Sequence, residues 1–147
     1  MSLLRISKEF EFEMAHALYH HDEKCKFIHG HSYKLVITVS GTPVNDIDSS
    51  QNGMVMDFKI LKKIVQEEII EHFDHALLIN ANAPYKNLEN IELFDNIVKV
   101  PYQPTCENLI IDFAQRIQKK LPGHVALFSL KLNETSTSYV EWVADDK

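Results

Sequence analysis

Leu4-Arg5-Ile6-Ser7-Lys8-Glu9-Phe10-Glu11-Phe12-Glu13-Met14-Ala15-His16 is the stretch that decides the fold. Leu4, Ile6, Phe10, Phe12 and Met14 alternate with Arg5, Ser7, Glu9, Glu11 and Glu13. Period-two alternation predicts a strand over about 4–14 with one face on a core. His16 continues the apolar parity. A second stretch repeats the pattern: His29 and His31 share parity with Tyr33, Leu35, Ile37 and Val39, predicting a strand over about 31–41 that ends at Gly41-Thr42-Pro43. Gly30 between the two histidines lets the backbone bend. Three imidazoles therefore sit where two buried faces run out, a place suited to a partly desolvated metal.

Outward from these strands, residues 17–28 read as a polar loop holding Cys25, with His20 and His21 exposed. Residues 44–53 form a turn or loop rich in Asn, Asp, Ser and Gln. A helix is predicted over about 57–73, capped by Asp57, with Phe58, Leu61, Val65, Ile69 and Phe73 as its apolar stripe and Lys59, Lys63, Glu67 and Glu71 opposite. A second runs over about 106–120, capped by Thr105 and stopped by Pro122-Gly123. Segment 80–103 is irregular, with a short strand near Ile97–Val100. Strands at Val125–Leu132 (Ala126, Phe128, Leu130 and Leu132 on one face) and about Tyr139–Val143 follow. The expected architecture is α+β: one domain over 1–147, a four-stranded antiparallel sheet with two helices on one face.

The formal charge of −6 leaves no basic footprint, so nucleic acid is not an expected partner. Two cysteines among 147 residues make no disulfide framework, and no apolar run is long enough to cross a bilayer. The expectation is a cytoplasmic protein without membrane contact.

Zinc fits the cluster. Catalytic zinc usually has three protein ligands and an open position, while structural zinc is closed by four. His16, His29 and His31 supply three nitrogens, and Cys25 lies four residues before His29. Two readings follow: an open centre with a nearby thiol, or a closed structural site with Cys25 as fourth ligand. Asp74-His75 follows the first helix directly; a carboxylate can hold an imidazole tautomer, or the pair is a solvated helix end. Glu107 stands at a helix start, where an acid suits the dipole. Glu134 extends the buried parity of Leu130 and Leu132 and needs a partner, such as a ligand edge carrying two N–H donors. Cys106 reads as a small packing residue.

Taken in order, Cys25-Lys26-Phe27-Ile28-His29-Gly30-His31, upstream His16, Asp74-His75, Pro104-Thr105-Cys106-Glu107-Asn108 and Glu134-Thr135 resemble the 6-pyruvoyltetrahydropterin synthase superfamily. The CxxxHGH spacing resembles its carboxytetrahydropterin-forming branch, which serves queuosine synthesis. The resemblance implies a T-fold whose protomers join through edge strands into barrels, commonly a homohexamer of two stacked trimers with sites between protomers. It implies zinc on His16, His29 and His31, Cys25 as catalytic thiol and Asp74 with His75 as an acid–base pair. It also implies Glu134 as pterin anchor, and Glu107 and Thr105 as substrate-pocket residues. The implied reaction converts 7,8-dihydroneopterin triphosphate to 6-carboxy-5,6,7,8-tetrahydropterin, acetaldehyde and triphosphate. The rival reaction within the superfamily eliminates triphosphate from the same substrate without carbon–carbon cleavage.

Overall fold

A computed structural model describes residues 2–85 and 92–146. Strands β1 (Leu4–His16) and β2 (His29–Gly41) form the longest ladder, antiparallel from Leu4↔Gly41 to His16↔His29. That register carries the parity argument across the hairpin. Phe12 faces Tyr33, with rings stacked at 5.0 Å, and Met14 faces His31. The buried face thus delivers His16, His29 and His31 to one end of the sheet.

Helix α1 (Phe58–Val65) starts on Asp57, whose side chain accepts from the Lys59 N–H, as its sequence predicts. The chain continues through a wider turn (Gln66–Ile70) into a last α-helical turn, α2 (Glu71–Phe73). The extra residue in that turn brings Ile69, Ile70 and Phe73 all onto the core. Phe58, expected in the apolar stripe, is instead exposed at the first turn. Helix α3 (Cys106–Gln118) is capped by the Thr105 side chain, which accepts from the Asn108 N–H. Leu109, Phe113 and Ile117 of α3 join Leu61, Val65 and Phe73 over the buried sheet face. Each such side chain contributes roughly 1.5–3 kcal/mol by leaving water.

The sheet corrects the expectation of four antiparallel strands. It has six, in the order β4 (Ile97–Val100), β3 (Ala76–Asn80), β1, β2, β5 (Val125–Asn133) and β6 (Tyr139–Val143), and it is mixed. Strand β3 (Ala76–Asn80) lies parallel to the end of β1, Met14↔Ala76 through His16↔Leu78, and β4 (Ile97–Val100) lies parallel to β3. Ala76, Leu77, Leu78 and Ile79 are all buried, so the strand has no alternation to reveal it. The short strand near Ile97–Val100 is present; of the irregular segment 80–103, residues 86–91 lie outside the described residues.

A second correction concerns β5 (Val125–Asn133), which pairs with β2 on one side and with β6 (Tyr139–Val143) on the other. The β2–β5 register slips between Thr38 and Val39, as at a β-bulge. Val125 and Leu127 are therefore buried ahead of the slip, and Leu130 and Leu132 after it. Ala126 is exposed, and half-buried Phe128 lies under the Arg5 guanidinium, 3.8 Å from the ring centre. Beyond the slip the predicted parity holds, and it runs on to Glu134.

Candidate metal centre

His16 ends β1 and is 1 % exposed. Its Nδ1 donates to the Pro104 carbonyl at 2.7 Å. His29 opens β2, and its Nδ1 donates to the Phe27 carbonyl at 2.8 Å. A carbonyl has no hydrogen to give, so each Nδ1 carries the ring proton and each Nε2 presents a lone pair. Those two Nε2 atoms face one another at 3.0 Å. The His31 Nε2 is buried without a hydrogen-bond partner among the described residues.

One ligand nitrogen from each ring lies within 4.8 Å of the others. Facing lone pairs at that spacing repel unless a cation lies between them. A proton is poorly suited to the role, because burial foremost, with the two neighbouring imidazoles adding to it, pushes the His16 pKa down to about 4, against a raising effect of its bond to Pro104. Burial likewise lowers His31, with His29 adding to it and the Glu134 carboxylate opposing. The donor set, the fixed tautomers and the orphaned nitrogen fit a divalent metal with imidazole ligands.

Cys25 is not a member of this group. It lies half-buried in a one-turn helix, Lys24–Lys26, within the loop joining β1 to β2. Its carbonyl accepts from the Leu18 N–H at 2.9 Å, which closes the neck of that loop and holds the Cys25 backbone close to the end of β1. His20 and His21 are exposed, as expected, and border a separate hollow of about 540 Å³ with Tyr19 and Phe27.

Asp74 and His75 do touch, although they are adjacent in sequence. His75 adopts a left-handed backbone (φ 62°), and its Nδ1 stands 3.0 Å from Asp74 Oδ1. The same Asp74 oxygen accepts from the Glu13 N–H at 2.9 Å, while the His75 N–H donates to the Glu13 carbonyl at 2.6 Å. With Nδ1 donating to Asp74, Nε2 is the free position of an imidazole that is 76 % exposed. His75 and His31 line one cleft of about 290 Å³ together with Glu13, Gly30, Ser32 and Ala76. The pair stays outside the three-imidazole group.

Glu134 follows β5, with its N–H bonded to the Ser138 carbonyl at 3.0 Å and Oε1 3.5 Å from the His31 Nε2. Thr105 caps α3, and Glu107 is exposed in its first turn. Cys106 is buried, as expected of a packing residue; burial first, then the charges of Glu134 and Glu107, push its thiol up to about 12.

Two partners escaped the sequence reading: the carbonyls of Pro104 and Phe27, which set the tautomers of His16 and His29. Backbone acceptors leave no mark in residue type. Gly30 is also less constrained than its sequence suggests, since a Cβ there would meet the Met14 carbonyl oxygen at an ordinary 3.6 Å.

The family described as 6-pyruvoyl tetrahydropterin synthase matches residues 5–145. A Haemophilus influenzae protein named 6-carboxy-5,6,7,8-tetrahydropterin synthase is 34 % identical over 143 residues, covering 95 % of this chain and 99 % of its own. A Rickettsia typhi protein of the same name is 31 % identical over the same coverage. Among solved structures, a 6-pyruvoyl tetrahydropterin synthase from Plasmodium vivax superposes with a TM-score of 0.72 at 16 % identity, covering 97 % of this chain and 98 % of that one, which supports the T-fold.

Proposed function

Because the chain belongs to the 6-pyruvoyl tetrahydropterin synthase family, we propose that it is a zinc-dependent lyase acting on 7,8-dihydroneopterin triphosphate. With one water consumed, the products are 6-carboxy-5,6,7,8-tetrahydropterin, acetaldehyde and triphosphate. The observation that carries this reading is the pair of bare imidazole nitrogens of His16 and His29, 3.0 Å apart beside the orphaned nitrogen of His31. End-to-end relatives named for the carboxy product favour carbon–carbon cleavage over simple triphosphate elimination.

His16, His29 and His31 hold the zinc. When bound, the ion supplies Lewis-acid stabilisation of negative charge on a substrate side-chain oxygen. Cys25 acts as general base toward the side-chain carbon, from a loop whose closed neck holds its backbone close to the end of β1. His75 exchanges the second proton at Nε2, because Asp74 occupies Nδ1 and fixes the tautomer. Glu134 anchors the pterin, whose ring N–H groups match its two oxygens. Glu107 and Thr105 complete the substrate pocket from the start of α3.

The active assembly in this reading is a barrel of protomers, two stacked trimers with sites between them. Strands β4 and β6 end the sheet and offer the backbone edges that such assembly uses. Incubating the protein with zinc and dihydroneopterin triphosphate and analysing products by mass spectrometry tests the reaction. Acetaldehyde with 6-carboxytetrahydropterin is the expected result. A 6-pyruvoyl product without acetaldehyde would replace the proposed reaction with elimination, and unchanged substrate would defeat both.

A further inference from the structure

Tyr33 is the largest buried polar side chain that the proposed chemistry leaves without a task. It is 1 % exposed, and its hydroxyl has no hydrogen-bond partner among the described residues. Burying a hydroxyl without a partner forfeits its hydrogen bonds to water, so the position calls for a reason. The β2–β5 ladder ends at Lys34↔Asn133, and one further step in the same antiparallel register sets Tyr33 opposite Glu134. Both lie on the buried face, where opposed side chains are neighbours. Among the described residues the Glu134 carboxylate has no hydrogen-bonded side-chain donor: its contact, the His31 Nε2, stands at 3.5 Å. Once that nitrogen gives its lone pair to a metal it has no hydrogen for Glu134 at all.

We infer that the Tyr33 hydroxyl donates to the Glu134 carboxylate in the metal-loaded protein, making Tyr33 a positioning residue for the pterin anchor. The Tyr33 ring is already held by stacking on Phe12 at 5.0 Å, so the hydroxyl has a fixed place from which to act. The oxygen that accepts from Tyr33 keeps a second lone pair, so both oxygens of the positioned carboxylate still serve the pterin N–H groups. The positioning role rests on the proposed reading of Glu134; the bond itself does not.

The test is a double-mutant cycle of Tyr33→Phe and Glu134→Ala in zinc-loaded protein, read by thermal unfolding and by KM against kcat. Phenylalanine keeps the stacking, so the fold is preserved. Tyr33→Phe is expected to lower Tm by about 3 °C with Glu134 present, and to have no such effect once Glu134 is Ala. It should raise KM about tenfold with kcat within twofold, and leave one zinc per chain. Equal Tm changes in both backgrounds would overturn the inferred bond. Coupled stability with an unchanged KM would overturn the positioning role. If Glu134→Ala itself has the wild-type KM, the anchor reading of Glu134 fails, while the Tm cycle still decides the bond.

Discussion

His16 and His29 stand opposite one another in the β1–β2 ladder, with Nε2 atoms 3.0 Å apart and both Nδ1 atoms committed to backbone carbonyls. The backbone thus fixes which nitrogen each ring presents before any ion arrives. Removing one imidazole should therefore cost affinity far more than fold. His29→Ala, with His29 only half-buried, is expected to lower zinc content from one per chain to below about a tenth, while far-UV dichroism stays unchanged. Full occupancy in that variant would remove His29 from the centre.

Metal-free protein should lose stability in mild acid. The His16 pKa is lowered by burial from 6.5 to about 4, so the unfolded chain binds the proton more readily than the folded one. Stability is then complete above about pH 6.5 and declines as pH falls toward 4, by on the order of 3 kcal/mol. Urea unfolding of the metal-free protein at pH 7.5, 6, 5 and 4 checks this, and His16→Gln should flatten the profile. An unchanged slope in that variant would assign the acid sensitivity elsewhere.

Cys25→Ala is expected to reduce kcat by about 10²–10⁴-fold, the usual range for a lost general base, with zinc content unchanged. Cys25 lies outside the three-imidazole group, so zinc binding has no reason to follow its loss. Parallel measurement of turnover and metal content separates the two roles. A loss of zinc in step with activity would make the thiol a ligand.

Asp74→Asn keeps an oxygen for the Glu13 N–H but removes the charge beside His75. The expected result is a kcat lower by about 10–100-fold, with KM within threefold and Tm little changed. A wild-type pH–rate profile in this variant would leave His75 without its partner's influence.

Much of this was legible in residue order, and the exceptions have physical causes. The parity of Phe10, Phe12, Met14 and His16 is written in alternation, because that face is buried and the other solvated. Strand β3 was missed because Leu77 and Leu78 are buried on both sides of the sheet, where alternation vanishes. Phe128 was placed on the wrong face because it is itself the extra residue of the bulge: Thr38 pairs with Ser129 and Val39 with Leu127, which only the pairing with β2 reveals. At the centre, the grouping of the three imidazoles followed from parity and spacing, whereas spacing alone left Cys25 either beside the metal or on it. The Asp74–His75 contact did not, since it needs the left-handed turn at His75, a conformation uncommon for a residue with a side chain.

X-ray absorption at the zinc edge of the loaded protein is the most direct measurement of an open three-nitrogen centre. The account predicts three nitrogen ligands at about 2.0–2.1 Å, a light oxygen neighbour, and no sulfur. A zinc–sulfur distance near about 2.3 Å would put Cys25 on the metal, close the fourth position, and contradict the assignment of that thiol as a base.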